Sequence, residues 1–538
     1  MASSGAMAGA SGPGLRPGAS APEEPLLAGS IDPRLTQSWH SGAVRREVVP
    51  PRWPLSRSFS TCSCGEGLEP ARPFGGIERR PKPKLPTAED RAELTSFSFR
   101  YQGIHHQKPH VVAFVNSRSG GQTGQLLMKA LSESIGAQEH EAMAFTGEVC
   151  DLSRPDEPVK TIESLAAGFA QHAQRRLLIC GGDGTVTWIL TALEQCKSLA
   201  GKHQLLPAAI VPLGTGNDLA RSLGWGKSLR CVSDVLKYLQ WVTQATPVTL
   251  DQWRLVLRPH EPLPADHKLR TPGSHPQLVA DRDLALQLIG DLEETLGDED
   301  LAAPASGGEV FVGFWQNYFS LGMDAKVAGY VDYSRSNTCC GRACFRRGCG
   351  KACYAWQGLR HSCCTPSLTP SISGLRISAP EDDAASPSSS LRELQPPLEE
   401  RRVQGRRGHM QQMMLLNINS YAAGLNVLPA AGAASPLPSP ADGVLEVLGV
   451  RGVAAALGVY AGLSKPAYVA SARAVVFRYS RGEFMQLDGE PWKLGVGCDV
   501  LVEPHRKLAM LCAPPDVPFW RGHIQRDYWC RAAAPGGR

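Results

Sequence analysis

The sequence predicts an α/β protein whose first lobe is a Rossmann-like parallel sheet, and three occurrences of one pattern predict it. In each, a short apolar run reads as a buried strand, a glycine-bearing loop follows, and a helical run follows the loop. The first is VVAFV at 111–115, then NSRSGGQTG at 116–124, then a helical run with Leu126, Leu127 and Leu131. The second is LLIC at 177–180, the turn Gly181-Gly182-Asp183-Gly184-Thr185, and a helical run with Val186, Ile189, Leu190 and Leu193. The third is AIVPL at 209–213, the loop Gly214-Thr215-Gly216-Asn217-Asp218, and a short helix ended by Gly224. Consecutive strand, loop, helix units give a parallel sheet whose loops open at the carboxyl ends of the strands, where ligands bind in such folds.

The turn at 181–185 has the chemistry of an anion site. Glycines let backbone amides approach a ligand, and the helix that follows points its N-terminus at the same place. Asp183 is the odd member. A carboxylate repels a bare phosphate, so it serves as a metal ligand, a base, or a clamp on a neighbouring amide; a helix N-cap in an ordinary strand-to-helix turn accounts for the same residues. Familiar nucleotide motifs are absent. None of the loops reads GxGxxG with a helix-packing third glycine, and Gly226-Lys227-Ser228 fails as a Walker loop because Arg221 stands where glycine is required. That segment reads as a basic surface turn.

VNSRSGG at 115–121, GGDGT at 181–185 and PLGTGNDLAR at 212–221 resemble the catalytic domain of diacylglycerol kinases. NYFSLGMDA at 317–325, LNINSYAAG at 416–424 and LDGEPW at 487–492 are similar to the accessory domain of that family. The motifs run in order from about residue 109 to about residue 513. GGDG turns also occur in NAD kinases and phosphofructokinases, which lack the GTGND and LDGEPW partners. The resemblance implies a phosphofructokinase-like α/β catalytic lobe at 108–250, a β-rich accessory lobe of β-sandwich type at 251–513, and a cleft between them. It also implies transfer of the γ-phosphoryl group of ATP to the hydroxyl of 1,2-diacylglycerol, giving phosphatidic acid. Such a transfer depends on positioning and charge neutralisation more than on covalent chemistry.

On that resemblance the amides of Gly120, Gly181, Gly182 and Gly184 cradle phosphates. Asn116, Ser117, Ser119 and Thr185, with the loop Gly214, Thr215, Gly216 and Asn217, complete the ATP site. Mg2+ should bridge the phosphates, and Asp183, Asp218 and Glu490 are its candidate ligands, direct or through water. The alcohol proton goes to Asp488 by similarity to bacterial relatives, or to Asp183 by similarity to sphingosine kinases; Glu490 is the third catalytic candidate. Asp183→Ala and Asp488→Asn are each expected to abolish turnover. Asp488-Gly489 also suits a type I′ hairpin turn after FMQL at 484–487. Asp251 stands where the chain leaves the first lobe, and reads either as the acidic residue found there in relatives or as an edge-strand carboxylate. Asp324 is expected to anchor the lobe interface.

The remaining composition fits around this core. Of 538 residues, 1–105 are rich in Gly, Ala, Ser, Pro and Arg without periodicity, and are predicted disordered. A chloroplast or mitochondrial transit peptide competes with that reading: residues 1–22 carry no acid, although Glu23 and Glu24 end the acid-poor stretch early. No apolar run reaches the roughly 20 residues that span a bilayer; the longest, 453–463, is broken by glycines and is assigned to the β-rich lobe. Residues 261–308, with a helical piece near 284–296, and residues 380–408 read as insertions.

Seven of the 16 cysteines fall between Cys339 and Cys364, among arginines. Three readings compete: a zinc site of irregular spacing, acylation beside basic residues, or a basic loop of free thiols in a reducing compartment. The paired cysteine fingers of animal diacylglycerol kinases have no counterpart ahead of residue 109, where only Cys62 and Cys64 stand. The chain therefore resembles the smaller finger-less type of plants and algae, including Tyr354 to Gly358, while 330–352 diverges. The tail at 514–538 mixes Phe519, Trp520, Tyr528 and Trp529 with Arg521, as an interfacial anchor does or as a core-packing segment does. A net charge of +5 suits an anionic surface. The expectation is a cytoplasmic protein peripherally bound to membranes, with organelle import as an alternative, with diacylglycerol as lipid partner and no nucleic acid. Sphingoid-base or ceramide kinase, or a catalytically silent lipid-binding scaffold, are the competing functions.

Overall fold

Apolar runs of strand length build one parallel layer. The structure, a computed structural model, describes residues 109–117, 123–135, 146–154, 156–168, 175–199, 202, 205–263, 276–296, 309–337, 350–362, 367–368, 371–379, 391–393, 410–428, 438–481, 484–519 and 529. The segment 1–105, Ser119, Gly120, most of 380–408, Trp520, Tyr528 and all of the 339–364 cysteines except Cys353 lie outside the described residues.

Strands β1 (His110–Val115), β2 (Thr146–Asp151), β3 (Arg175–Gly181) and β4 (Ala208–Pro212) lie parallel in the order β4-β3-β1-β2. Helix α1 (Thr123–Ile135) follows β1, α2 (Glu157–Ala167) follows β2, α3 (Asp183–Gln195) follows β3 and α4 (Asp218–Ser222) follows β4; α5 (Val235–Gln244) closes this half. The helical periodicity read from the sequence is the buried face: Leu127 and Leu131 of α1, and Val186, Ile189, Leu190 and Leu193 of α3, pack on strands whose residues 111–115 and 177–180 are sealed from solvent. Because β1, β3 and β4 are parallel neighbours, their carboxyl-end loops come together on one edge.

The second half is β-rich. In chain order it comprises β5 (Thr246–Pro259), β6 (Gln277–Leu278), α6 (Arg282–Leu296), β7 (Phe311–Trp315), β8 (Tyr318–Gly322), α7 (Met323–Asn337), α8 (Gly350–Ser362), β9 (Ile372–Ser378), β10 (Leu391–Glu393) and β11 (Met410–Leu416). There follow β12 (Leu445–Arg451), α9 (Gly452–Tyr460), β13 (Ala467–Ala472), β14 (Ala474–Tyr479), β15 (Phe484–Leu487), β16 (Glu490–Lys493) and β17 (Cys498–Cys512). β13-β12-β11-β8-β15-β16 form an antiparallel sheet. It packs on β5, β7, β9, β14 and β17 through Trp253, Trp315, Phe319, Phe477 and Trp492, which makes the expected sandwich.

The two halves share one sheet. β17 pairs antiparallel with β5 from Cys498↔Pro259 to Cys512↔Thr246 and with β14 over its first residues, and near its end Met510 pairs parallel with Ala208 of β4. The long β5–β17 ribbon thus fixes the second half to the first through backbone hydrogen bonds. The helical piece expected in the first insertion is α6, whose Ala285, Leu288 and Leu292 pack on Val256, Val476 and Leu501. The apolar run 453–463 folds as α9 and the turn after it. Of the tail aromatics, Phe519 packs against Tyr238 and Trp241, and Trp529 is fully buried with its indole N–H on Ser222 Oγ; these two are core residues. No helix among the described residues is long and apolar enough to cross a membrane.

The ribbon carries a buried ion cluster. Asp499, sealed from solvent, accepts from Arg258 Nε and Nη2 at 3.0 and 2.7 Å, from Arg478 Nε at 3.0 Å, and meets His260 Nε2 at 2.9 Å. Burial opposes the charge, but these donors prevail and hold the carboxyl down at about 2. A depressed carboxylate contributes stability above its unfolded-state pKa of about 3.9 and loses it as pH falls through the folded value. Asp499→Ala should cost about 3–5 kcal/mol by stranding buried guanidiniums, read as a fall in the urea midpoint at pH 7, and should flatten the acid limb of the wild-type stability curve between about pH 4 and pH 2.

Candidate active site

The loops after β3 and β4 are pressed together by glycine. A Cβ on Gly214 would lie 2.6 Å from the Cα of Gly182, so neither loop admits a side chain at the contact. Gly182 is the residue before α3, and the first amides of a helix, here those of Asp183 and Gly184, have no partner within it. Asn217 shapes the second loop. It takes a left-handed conformation at φ 53°, its Oδ1 accepts the Gly214 amide at 3.0 Å, and its Nδ2 donates to the carbonyls of Gly214 at 2.8 Å and Lys227 at 2.9 Å. Thr215, at the crest of that loop, is exposed.

From the first loop, Asn116 Nδ2 donates to Thr185 Oγ1 at 3.2 Å, tying β1 to the first turn of α3. Ser117 Oγ donates to Asp151 Oδ1 of β2 at 2.9 Å. Asn116, Thr185, Gly181, Gly182, Gly184 and the 214–217 loop therefore share one edge of the sheet, and Ser117 is turned toward β2.

Three carboxylates converge beside these loops. Asp183 is half-buried, and its Oδ2 and Oδ1 accept the amides of Asp218 and Leu219 at 2.9 and 3.1 Å, which makes it the cap of the short helix α4. Asp218 is 2% exposed and reaches into the other half: its Oδ1 accepts Ser420 Oγ at 2.6 Å and the Gly424 amide at 2.9 Å, and its Oδ2 accepts the Ala423 amide at 3.0 Å. Next to it Ser222 Oγ donates to Asn419 Oδ1 at 2.7 Å. The motif at 416–424 thus meets the motif at 212–221 side chain to backbone.

Asp488 is held from a different side. Residues 488 and 489 have φ of 48° and 88° and join β15 to β16 at the Leu487↔Glu490 pair, so the hairpin reading of Asp-Gly holds. Its Oδ1 accepts the amides of Asn317 and Tyr318 at 2.8 and 3.0 Å, and its Oδ2 those of Gln316 and the Thr187 hydroxyl at 3.2 and 3.3 Å. A carboxylate offers about four acceptor positions. Three amides fill positions on Asp488 and the fourth faces the Thr187 hydroxyl, whose one hydrogen is shared with the Asp183 carbonyl at 3.1 Å, whereas each oxygen of Asp183 accepts a single amide.

Desolvation sets the electrostatics. Burial and the neighbouring charge of Asp218 push the Asp183 carboxyl up to about 7. Burial raises Asp218 as well, against its hydrogen bonds, and raises Asp488 to about 6 despite four donors. The Oδ2 atoms of Asp218 and Asp183 both face the missing side chain of Gly216, where a Cβ would lie 3.3 and 3.5 Å from them. Two carboxylate oxygens with open acceptor positions turned to one gap are a fitting place for a hard cation. The carboxylate of Glu490, half-buried at the start of β16, makes no hydrogen bond or ion pair among the described residues. It sits beside Tyr354 of α8, whose phenol is pushed up to about 12 by burial and by Glu490.

Other sequence candidates have structural partners. Asp251, pushed up to about 6 by burial, accepts the Gly443 amide at 2.6 Å and pins the turn before β12 to β5. Asp324 lies within the β-rich half, where its Oδ2 accepts Ser320 Oγ at 2.5 Å, Gln486 Nε2 at 2.6 Å and the Tyr421 hydroxyl. Sequence reasoning did not single out Thr187, Tyr318 or Ser420. Thr187 lies one helical turn from Asp183, and Tyr318 and Ser420 lie inside motifs; the signal was there, but nothing local marks a hydroxyl or ring as facing a carboxylate far along the chain.

Both halves of the chain match known proteins. A family model described as the diacylglycerol kinase catalytic domain matches residues 110–248, and one described as the diacylglycerol kinase accessory domain matches residues 314–491, together more than half of the chain. Diacylglycerol kinase 1 of Oryza sativa subsp. japonica is 29% identical over 436 residues, covering 75% of this chain and 80% of the relative. Diacylglycerol kinase 3 of Arabidopsis thaliana is 29% identical over 416 residues, covering 72% and 77%. Diacylglycerol kinase theta of Mus musculus is 24% identical over 501 residues, covering 92% of this chain and 45% of the relative.

The Asp218 contact generates a test independent of activity. Asp218→Ala leaves a hydroxyl and two amides without their acceptor, and should lower stability by about 2–4 kcal/mol in urea denaturation; a change below about 0.5 kcal/mol would remove Asp218 as a tie between the halves.

Proposed function

The chain belongs to the diacylglycerol kinase family, and on that premise we propose how its residues carry out phosphoryl transfer from ATP to diacylglycerol, which gives phosphatidic acid. The observation that carries the proposal is the meeting of Asp183, Asp218 and Asp488 beside two glycine loops at the junction of the halves. Residues 108–250 act as the nucleotide-binding lobe and 251–513 as the accessory lobe, with 514–538 as a tail; the spans of the two matching family models support that division.

ATP lies across the carboxyl ends of β1, β3 and β4. The amides at the start of α3, with Gly181, Gly182 and Gly184, cradle its phosphates; Asn116 and Thr185 supply polar contacts, and Ser119 and Gly120 follow Asn116 in the same loop. Gly214, Thr215 and Gly216 line the opposite side, and Asn217 keeps that loop in shape. Ser117 acts by fixing the loop to β2.

Mg2+ would be met at the Gly216 gap by Asp218 and Asp183 through their Oδ2 atoms, Glu490 being the third candidate only by family resemblance, and when bound it would offset the charge on the phosphates. The proton acceptor is Asp183. It is half-buried at the cleft, keeps an open acceptor position on each oxygen, and its raised pKa suits proton transfer near neutral pH. Asp488 is a positioning residue in this scheme: its oxygens hold the 316–318 turn against Thr187 of α3.

The free thiols Cys150, Cys180 and Cys498 suit a reducing compartment, and with a lipid substrate they support a cytoplasmic enzyme that meets membranes peripherally. A purified-protein assay with labelled ATP, magnesium and mixed micelles should give phosphatidic acid from diacylglycerol and no labelled product from sphingosine or ceramide; labelling of either of those instead would overturn the substrate assignment.

Two variants separate the carboxylates. Asp183→Asn should lower kcat by about 10² to 10⁴ in a folded protein. Asp488→Asn, expected from the resemblance to abolish turnover, should with Asp183 as proton acceptor keep a residual rate whose acid limb moves to lower pH, because removing a neighbouring negative charge lowers the Asp183 pKa. Complete loss of turnover in folded Asp488→Asn, with substantial activity in Asp183→Asn, would make Asp488 the proton acceptor.

A further inference from the structure

One surface of the β-rich half lacks the polar cover that water demands. From Gly452 to Ser464, through α9 and the turn after it, the chain carries no charged side chain. A surface helix ordinarily turns a charged face outward. α9 buries Ala456 and Val459 on the second sheet, beside Met414, Leu448 and Val450, and its outward side is apolar as well. Leu457 is 46% exposed, Tyr460 37%, Leu463 85% and, on neighbouring β13, Tyr468 36%. Exposed apolar residues scattered singly need no explanation, but a contiguous set on a helix and its following turn marks a contact surface.

Charge tells which contact it is. From Val447 to Gly482 the chain has no Asp or Glu, while Arg451 precedes α9 and Lys465 ends the turn. The preceding carboxylate, Glu446, is buried and accepts from Ser471 Oγ at 2.8 Å. Lys465 is exposed and its ammonium donates to the backbone carbonyls of Asn426 and of Leu428, the latter at 3.0 Å, and it pairs with no carboxylate among the described residues. An apolar patch with tyrosines at its edge and basic residues at both ends is complementary to the boundary between anionic headgroups and acyl chains.

A chain of contacts links the surface to the active site. The Tyr460 hydroxyl donates to Gln412 Oε1 at 3.2 Å, Gln412 Nε2 donates to the Tyr421 hydroxyl at 2.8 Å, the Tyr421 ring meets the Tyr318 ring edge-on at 4.8 Å, and the Tyr318 amide donates to Asp488 at 3.0 Å. Four direct contacts lead from the outer helix to the carboxylates.

We infer that α9 and the 461–464 turn are the face on which the protein docks onto an anionic lipid bilayer, with Leu457, Tyr460 and Leu463 entering the headgroup boundary and Lys465 facing anionic lipids. The inference rests on the lipid-kinase reading: diacylglycerol stays in the bilayer, so the cleft must be brought to it. The full-length double variant Leu457→Glu/Leu463→Glu tests it, since both side chains are solvent-exposed and the substitutions spare the core. Sedimentation with phosphatidylcholine–phosphatidylserine vesicles should weaken by about tenfold or more, and turnover of vesicle-embedded diacylglycerol should fall in parallel. Turnover of monomeric dihexanoylglycerol should match wild type. Unchanged sedimentation overturns the docking face, as does a wild-type dimer that the variant dissolves while vesicle binding persists, because a second copy would then cover the helix. Wild-type protein that binds vesicles but phosphorylates neither diacylglycerol would overturn the kinase reading and leave the docking face standing.

Discussion

Holding Asp183, Asp218 and Asp488 together in a largely desolvated space is the constraint around which the site is arranged. Carboxylates deprived of water repel one another and favour protonation, so each is given donors: α4 amides for Asp183, the 420–424 loop for Asp218, the 316–318 amides and Thr187 for Asp488. Those donors come from both halves of the chain. The bonds from Ser420, Ala423 and Gly424 to Asp218 and from Thr187 to Asp488 cross between the halves, so part of the charge compensation also closes the cleft.

The backbone makes that arrangement rigid. A flexible linker between lobes would let the carboxylates drift, but β5 and β17 run side by side from the second half to β4, and their hydrogen bonds carry the register across the junction. The Asp499 cluster holds the far end of the same ribbon through Arg258, His260 and Arg478. The glycine contact at Gly182 and Gly214 then fixes how close the two phosphate-side loops can lie. Position at the site thus derives from sheet register and from the absence of side chains, both harder to disturb than a rotamer.

Periodic burial made the α/β half readable: the strand, loop, helix pattern and the apolar face of α3 are local properties, and the parallel order β4-β3-β1-β2 follows from them. The Asp488-Gly489 turn was readable for the same reason, because left-handed backbone at two successive positions selects those residues. The helix α9 was less readable. Its run of small apolar residues and glycines carries no charged face to set a phase, and only packing on β11 and β12 selects a helix. The tail was ambiguous because aromatic and basic residues suit a membrane or a core equally well, and a groove beside Tyr238 and Trp241 takes up Phe519.

By itself the sequence determined the glycine loops, the strands that carry them, the family and so the chemistry, because turn conformation and burial periodicity are written in neighbouring residues. Only the tertiary structure decided what each carboxylate does with its oxygens. Asp218 finds Ser420 202 residues away and Asp488 finds Asn317 171 residues away. Acceptor occupancy, desolvation and mutual repulsion depend on such distant neighbours, and no local pattern records how many of a carboxylate's acceptor positions the fold will fill.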